Sequence, residues 1–242
     1  MNRALFATGL VIALAMPALA GTTAVLDPPV SGGEYTIEQI LESHYGGDFT
    51  VNGLDFINGG AGGNINVTRW DDVLAPANAL SVLNPVQGSE ADQFWNTGHF
   101  SASAVARFSS ASQQIGFDRG SGFELLFNVA GNGMAATGTG DMDLTNDTWR
   151  WVRRSAEGDT IYYSQNSANS DGLDHMITYR VTGLENGAAG WLLCFEDLAG
   201  EVPASDRDFN DMVVELRTIP EPVTCTLLAV GGLALLAGRK RR

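Results

Sequence analysis

The sequence is poor in cysteine, in lysine and in helical signals, and each shortage excludes something. Two cysteines occur, Cys194 and Cys225. Cys225 lies in a C-terminal apolar segment, so no disulfide framework can staple the chain. Cys194, inside the run WLLCF, reads as a small buried apolar residue. The only lysine is Lys240; residues 21–222 contain none. Setting aside Arg3 and the four cations at the C-terminus leaves 9 basic residues against 28 acidic ones, a net charge of −19 for residues 21–222. So acidic a surface argues against nucleic acid and against direct binding of anionic lipid, and suits an exterior rich in divalent cations. A GxSxG motif is absent, and His44, His99 and His175 are scattered without metal-ligand spacing. No internal repeat and no Pro- or Ser-rich linker divides the chain.

What is present at the two ends reads as an address. Residues 1–20, MNRALFATGLVIALAMPALA, place Arg3 before an apolar stretch from Ala4 to Met16 and end on Ala18-Leu19-Ala20, the small-x-small pattern of a signal peptide; a retained N-terminal anchor is the alternative. The other end reads IPEPVTCTLLAVGGLALLAGRKRR. Pro220-Glu221-Pro222 precedes an apolar stretch, Val223 to Gly238, and Arg239, Lys240, Arg241 and Arg242 close the chain. Terminal cations belong on the cytoplasmic side of a membrane. This tripartite tail, residues 220–242, resembles the PEP-CTERM sorting signal of Gram-negative bacteria that make exopolysaccharide. The resemblance implies a transmembrane sorting helix presented at the inner membrane, cut by an exosortase at Pro-Glu-Pro, and a product at the cell surface or outside the cell. A permanent single-pass tail anchor is the alternative.

Between the two ends the chain predicts one domain. Residues 21–33 read as a loose leader, and 34–219 as a single all-β antiparallel sandwich, jelly-roll-like, with one short N-terminal helix; a domain of about 200 residues buries a core large enough to stand without staples. The helix is expected at 36–45: Thr36 and Gln39 form a capping-box pattern, Ile37, Ile40 and Leu41 share a face, and Gly46-Gly47 ends it. After it come roughly nine or ten short strands, with turn signals between them. FSASAVARFSS at 100–110 sets Ala102, Ala104, Ala106 and Phe108 on one face, GFELLFNVAG carries a buried LLFNV, and AATGTGDMDLTNDTWRWVRRS is expected as a hairpin with a polar end.

The densest chemistry lies at 195–216, FEDLAGEVPASDRDFNDMVVEL. Six acidic side chains and one basic one, Arg207, fall between Glu196 and Asp211. Apolar strands, Trp191–Phe195 and Met212–Leu216, flank the excursion. In an extended chain Asp206, Asp208 and Asn210 project to one side, and folding back brings them to Glu196 and Asp197 at the end of the incoming strand. Carboxylates crowded beside a core repel one another by several kcal/mol at an effective dielectric near 20. A bound divalent cation removes that repulsion. An oxygen-only donor set of Glu196, Asp197, Asp206, Asp208, Asn210 and Asp211 suits Ca²⁺, which takes about six to eight oxygens, and not zinc. The order D-x-D-x-N-D is not an EF-hand: its sixth position, Asp211, should be Gly and its twelfth, Arg217, should be Glu. The competing reading is a solvated acidic loop partnered by Arg207 and backbone amides.

The same residues resemble the C-terminal signature of the DUF4114 family: Phe195, Glu196, Asp197 and Leu198 at a strand end, then Asp206, Asp208, Phe209, Asn210 and Asp211 at a strand start, with DGLDHMITYRV at 171–181 resembling the strand before them. The resemblance spans about 120–217 and implies an ion-dependent domain without an assigned activity. Asp171 and Asp174 are candidate additional ligands, and Asp141, Asp143 and Asp147 form a smaller acidic group read as an exposed turn. The expectation is therefore a non-enzymatic calcium-binding module, structural or associating with extracellular polysaccharide. The alternative is a polysaccharide-processing hydrolase or lyase that uses paired carboxylates, with Trp149, Trp151, Tyr162 and Tyr163 as sugar platforms. A passive matrix protein that binds no ion is the third.

Overall fold

The computed structural model of the chain describes residues 33–51, 56–59, 64–70, 84–85, 93–158, 160–184, 189–200 and 206–219. Residues 1–20, expected as a signal peptide, nearly all of the expected leader, and the expected sorting tail with Pro220, Glu221, Pro222, Arg239, Lys240, Arg241 and Arg242 lie outside the described residues. No helix among those described is long and apolar enough to cross a membrane.

The helix α1, Ile37–Tyr45, starts and stops where its caps dictate. The Gln39 amide donates to Thr36 Oγ1 (3.2 Å) while the Thr36 amide donates to Gln39 Oε1 (3.0 Å), satisfying two amides that have no partner within the helix. Gly46 takes φ 73° and returns its N–H to the Glu42 carbonyl. Ile37, Ile40 and Leu41 are buried.

The strands follow as β1 (Phe49–Val51), β2 (Phe56–Gly59), β3 (Ile65–Arg69), β4 (Asn84–Pro85), β5 (Trp95–Ala106), β6 (Gln113–Asp118), β7 (Phe123–Val129), β8 (Thr139–Ser155), β9 (Ile161–Tyr163), β10 (Met176–Thr182), β11 (Gly190–Phe195) and β12 (Met212–Thr218). All pairings are antiparallel, and the hydrogen-bonded order is β1-β2-β3-β10-β11-β12-β5-β8-β6-β7, with β4 on β5 and β9 on β8. Among the described residues, the chain forms the expected all-β antiparallel architecture with one short α-helix. Its two groups of strands are continuous through β8, whose first part pairs with β5 and whose last six residues pair with β6.

The segment expected as a hairpin at 135–155 is instead mostly this one long strand. Met142, Leu144, Trp149 and Trp151 all reach the core along it, and burying them outweighs the turn-like TND in the middle. A register shift against β5 at Asn96/Gly98 absorbs the irregularity. The stretch LLFNV is not buried as expected either. β7 ends the sheet and has one face inward, so Phe127 and Val129 are buried while Leu125 is 49% exposed.

β10, β11 and β12 sit between two cores, which is why their sequences run apolar without alternation. On one side Trp191, Leu193, Phe195, Met212, Val214 and Leu216 face the β6–β7–β8 layer. On the other, Ile177, Tyr179, Val181, Leu192, Cys194 and Val213 pack under α1. The expected common face of Ala102, Ala104, Ala106 and Phe108 is broken by a bulge: Val214 pairs with Ala104 but Val213 with Ala106, so Ala102 joins the first core and Ala106 the second.

The five tryptophans form a connected series in the first core. Trp149, Trp151, Trp95, Trp191 and Trp70 meet edge to face at 6.3, 6.1, 5.3 and 5.3 Å in turn. Such pairs contribute about 0.5–1.5 kcal/mol each beyond their buried area.

Candidate metal centre

The ladder between β11 and β12 ends at the pair Phe195 and Met212. The next residue on each strand is therefore Glu196 and Asp211, which sit side by side at the lip of the sheet. This placement follows from register alone. Glu196 is 2% exposed.

The approach to β12 is not extended as the sequence suggests. Arg207 and Phe209 both take left-handed backbone, φ 54° and 55°, a conformation that costs a non-glycine residue about 1–3 kcal/mol. The two left-handed residues bracket Asp208 and coil the chain. The same coil drives the Phe209 ring, 0% exposed, into the core beneath α1. As a result Glu196, Asp206, Asp208 and Asp211 each bring a carboxylate oxygen to one place, all within 4.8 Å of one another.

Two of the six expected ligands are turned to other work. Asp197 accepts from Ser109 Oγ, from Gln113 Nε2 (3.4 Å) and from Arg153 Nη2 (3.1 Å). Its backbone N–H donates to Asp211 Oδ2 at 2.7 Å. Asn210 donates through Nδ2 to Asp208 Oδ2 (2.7 Å) and to the Tyr35 carbonyl (2.9 Å). Two buried oxygens at the centre have no hydrogen-bond partner: Glu196 Oε2 and Asn210 Oδ1. A buried polar atom left unpaired costs about 1–3 kcal/mol, more when charged.

The electrostatics agree with that shortage. Burial pushes the Asp208 carboxyl up to about 7, and the charges of Asp206, Glu196 and Glu34 push the same way against the Asn210 amide. Glu196 and Asp211 are both raised, first by burial and then by neighbouring carboxylates. The centre favours protons or a cation over free negative charge.

Behind it stands a polar wall. His175, 1% exposed, places Nδ1 3.4 Å from the Glu196 carbonyl and Nε2 3.0 Å from Asp171 Oδ2, and the Tyr162 ring stacks on it at 3.7 Å. Burial lowers the His175 pKa more than Asp171 raises it. Asp171 also accepts from the Gly200 and Leu173 amides, and Asp174 from the Met176 amide; neither belongs to the cluster. Asp141 and Asp143 are exposed on β8, and Asp147 pairs with Arg119 at 3.0 Å. Arg153, Ser109 and Gln113 carry no sequence signal for this role, because they arrive from β8, from the segment before β6 and from the first residue of β6.

The aromatic residues considered as sugar platforms are elsewhere. Trp149, Trp151 and Tyr162 are buried at 1%, 0% and 4% exposure. Tyr163 lies under the Arg150 guanidinium, 4.2 Å from its ring centre.

Residues 122–218 match a family model described as "Domain of unknown function (DUF4114)". The matched stretch runs from β7 through β12 and contains every carboxylate of the cluster. Comparison with curated proteins finds no match.

Proposed function

We propose that the chain is an exported calcium-binding module in which Glu196, Asp206, Asp208 and Asp211 hold one Ca²⁺ ion, so that the ion fastens the β11 end to the β12 start. The observation that carries this reading is the convergence of four carboxylate oxygens within 4.8 Å around a Glu196 whose buried Oε2 has no partner. Oxygens touching Ca²⁺ at about 2.3–2.6 Å stand at most about 4.6–5.2 Å apart across the ion. Mg²⁺, at about 2.0–2.1 Å and strictly octahedral, fits so many carboxylates less well. The donor set is oxygen only, which disfavours softer metals.

The role is structural or glycan-associating, at the surface or in the extracellular matrix of an exopolysaccharide-producing Gram-negative bacterium. Residues 1–20 direct export, and the tail from Pro220 to Arg242 is the substrate of an exosortase at the inner membrane. One observation supports this reading over a polysaccharide hydrolase or lyase: three of the four candidate platforms are core residues.

Thermal unfolding of the chain in calcium and in chelator tests the central claim. At a free calcium concentration 100-fold above Kd, an ion that binds only the folded form adds about 2.7 kcal/mol. An identical melting temperature in the two conditions would sink it.

A further inference from the structure

The acidic turn does more than join two strand ends: it touches the segment that leads into α1. Asn210 is 1% exposed and its amide spans the gap, donating to Asp208 Oδ2 on one side and to the Tyr35 carbonyl on the other. Its backbone N–H also donates to Asp208 Oδ1 at 3.2 Å, so the orientation of Asn210 is set by the orientation of the Asp208 carboxylate. Phe209, the residue between them, is fully buried against the core that α1 covers with Ile37, Ile40 and Leu41. Glu34, half-buried in the leading segment, adds its negative charge to those acting on Asp208. The Tyr35 ring rests 5.7 Å from Phe108, whose amide donates to the Asp211 carbonyl. Residues 34–36 are thus bound to the acidic turn by a side-chain amide, by a ring contact and through a shared core.

The two ends of α1 are held differently. At its C-terminal end Tyr45 donates to Glu215 Oε1 at 2.7 Å, and His44 Nε2 lies 3.4 Å from Glu215 Oε2. That fastening uses only the protein's own groups. At the N-terminal end the fastening passes through Asp208, a carboxylate of the cluster.

We infer that the Glu196–Asp211 centre is a cation-operated latch on the N-terminal segment: ion binding fixes Asp208, Asp208 fixes Asn210, and Asn210 holds residues 34–36 and the first turn of α1 against the sheet. The inference rests on the calcium reading above and assigns it a consequence, control of whether the N-terminal end of the domain stays docked. A ligand shifts such an equilibrium only by its preference for one state; the preference here is for the arrangement in which Asp208 faces the other three carboxylates.

Hydrogen exchange of the full chain, with calcium and with chelator, tests the latch, alongside calorimetric titration with calcium. The expected result is heat on titration and a calcium-dependent slowing at residues 36–42 about tenfold greater than at 113–129, which lie in the other layer. Slowing no greater at 36–42 than at 113–129, with heat present, overturns the latch and leaves the calcium site standing. Absence of heat overturns both. Asn210→Ala removes the donor to Tyr35 without adding a carboxylate beside the cluster. A folded Asn210→Ala chain is expected to bind calcium yet lose the extra slowing at 36–42; retention of that slowing overturns the latch. Should that variant not fold, the wild-type comparison of the two regions decides alone.

Discussion

Two buried carboxylate sites stand on strand β12 and its approach, and they are neutralised in opposite ways. Glu215, 3% exposed, faces α1 and is surrounded by its own partners: Tyr45 and Arg217 donate to it at 2.7 and 2.9 Å, and His44 stands at 3.4 Å. Burial opposes its ionisation, but His44, Arg217 and Tyr45 hold it down at about 2. At the cluster before β12, Glu196, Asp208 and Asp211 are pushed upward by burial and then by the charges of neighbouring carboxylates. The fold can equip a buried carboxylate with cations, and at Asp197 it supplies Arg153 as well. The four convergent carboxylates instead keep a buried unpartnered oxygen. Carboxylates that burial and their neighbours push upward, beside sites fastened by the protein's own groups, are the pattern of a site completed from outside.

The largest expected effect comes from breaking the self-sufficient site. Glu215→Ala leaves Tyr45 and His44 without their acceptor and opens space beneath α1. Removing one member of a buried charged network costs about 3–5 kcal/mol. Urea unfolding should show the same loss in calcium and in chelator, because nothing at Glu215 depends on the ion. Glu196→Gln probes the other site and should behave oppositely. In chelator it removes a repelling charge, so stability should hold or rise by about 1 kcal/mol. In calcium it should forfeit most of the roughly 2.7 kcal/mol that wild type gains at 100-fold excess. A Glu196→Gln chain still stabilised fully by calcium would place the ion elsewhere.

pH separates the same two sites without mutation. Glu215 is depressed in the folded state, so its contribution is present above about pH 4.5 and is lost as pH falls toward 2. Asp208 is raised from 3.8 to about 7. The sign is therefore reversed: its folded form is favoured while protonated, and stability declines as pH rises from about 4 through 7. Chelator melting curves should fall between pH 5 and pH 8 by an amount on the order of 2 kcal/mol. In calcium the fall should vanish, since the ion takes the place of the proton, and calcium affinity should climb over the same interval.

The difference between the two sites also marks how far the sequence could be read. Thr36, Gln39 and Gly46 give α1 within a residue, because capping is local chemistry. The meeting of Glu196 and Asp211 follows from two apolar strands with an acidic excursion between them, again a local pattern. Asp197 shows the limit. It adjoins Glu196 in sequence, but its partner Arg153 arrives from 44 residues away on β8, and only the packing of β6 and β8 beside the sheet brings it there. Asn210 shows another. Its expected role assumed extended backbone, whereas positive φ at Arg207 and Phe209 turns it toward Tyr35. The hairpin expected at 135–155 failed because turn propensity in TND is weak against the burial of Trp149 and Trp151. Glu215, a single acid in an apolar strand, gave no sign that α1 would cover it.

The smallest expected effect checks that the cluster matters for its geometry and not its charge alone. Asp141 is acidic too, and its side chain on β8 is exposed. Water screens it, and exposed charges contribute little to stability. Asp141→Asn should shift unfolding by less than about 0.5 kcal/mol and leave the gain from calcium unchanged, even though it lowers the chain's negative charge by the same unit as Glu196→Gln. If the two substitutions reduced the calcium gain equally, the ion would be acting as a diffuse counter-charge to an acidic surface. The convergence of the four carboxylates would then carry no special weight. The contrast between the two positions predicts a full separation: loss at Glu196, where the carboxylate is buried against three others, and none at Asp141, where the charge already faces solvent.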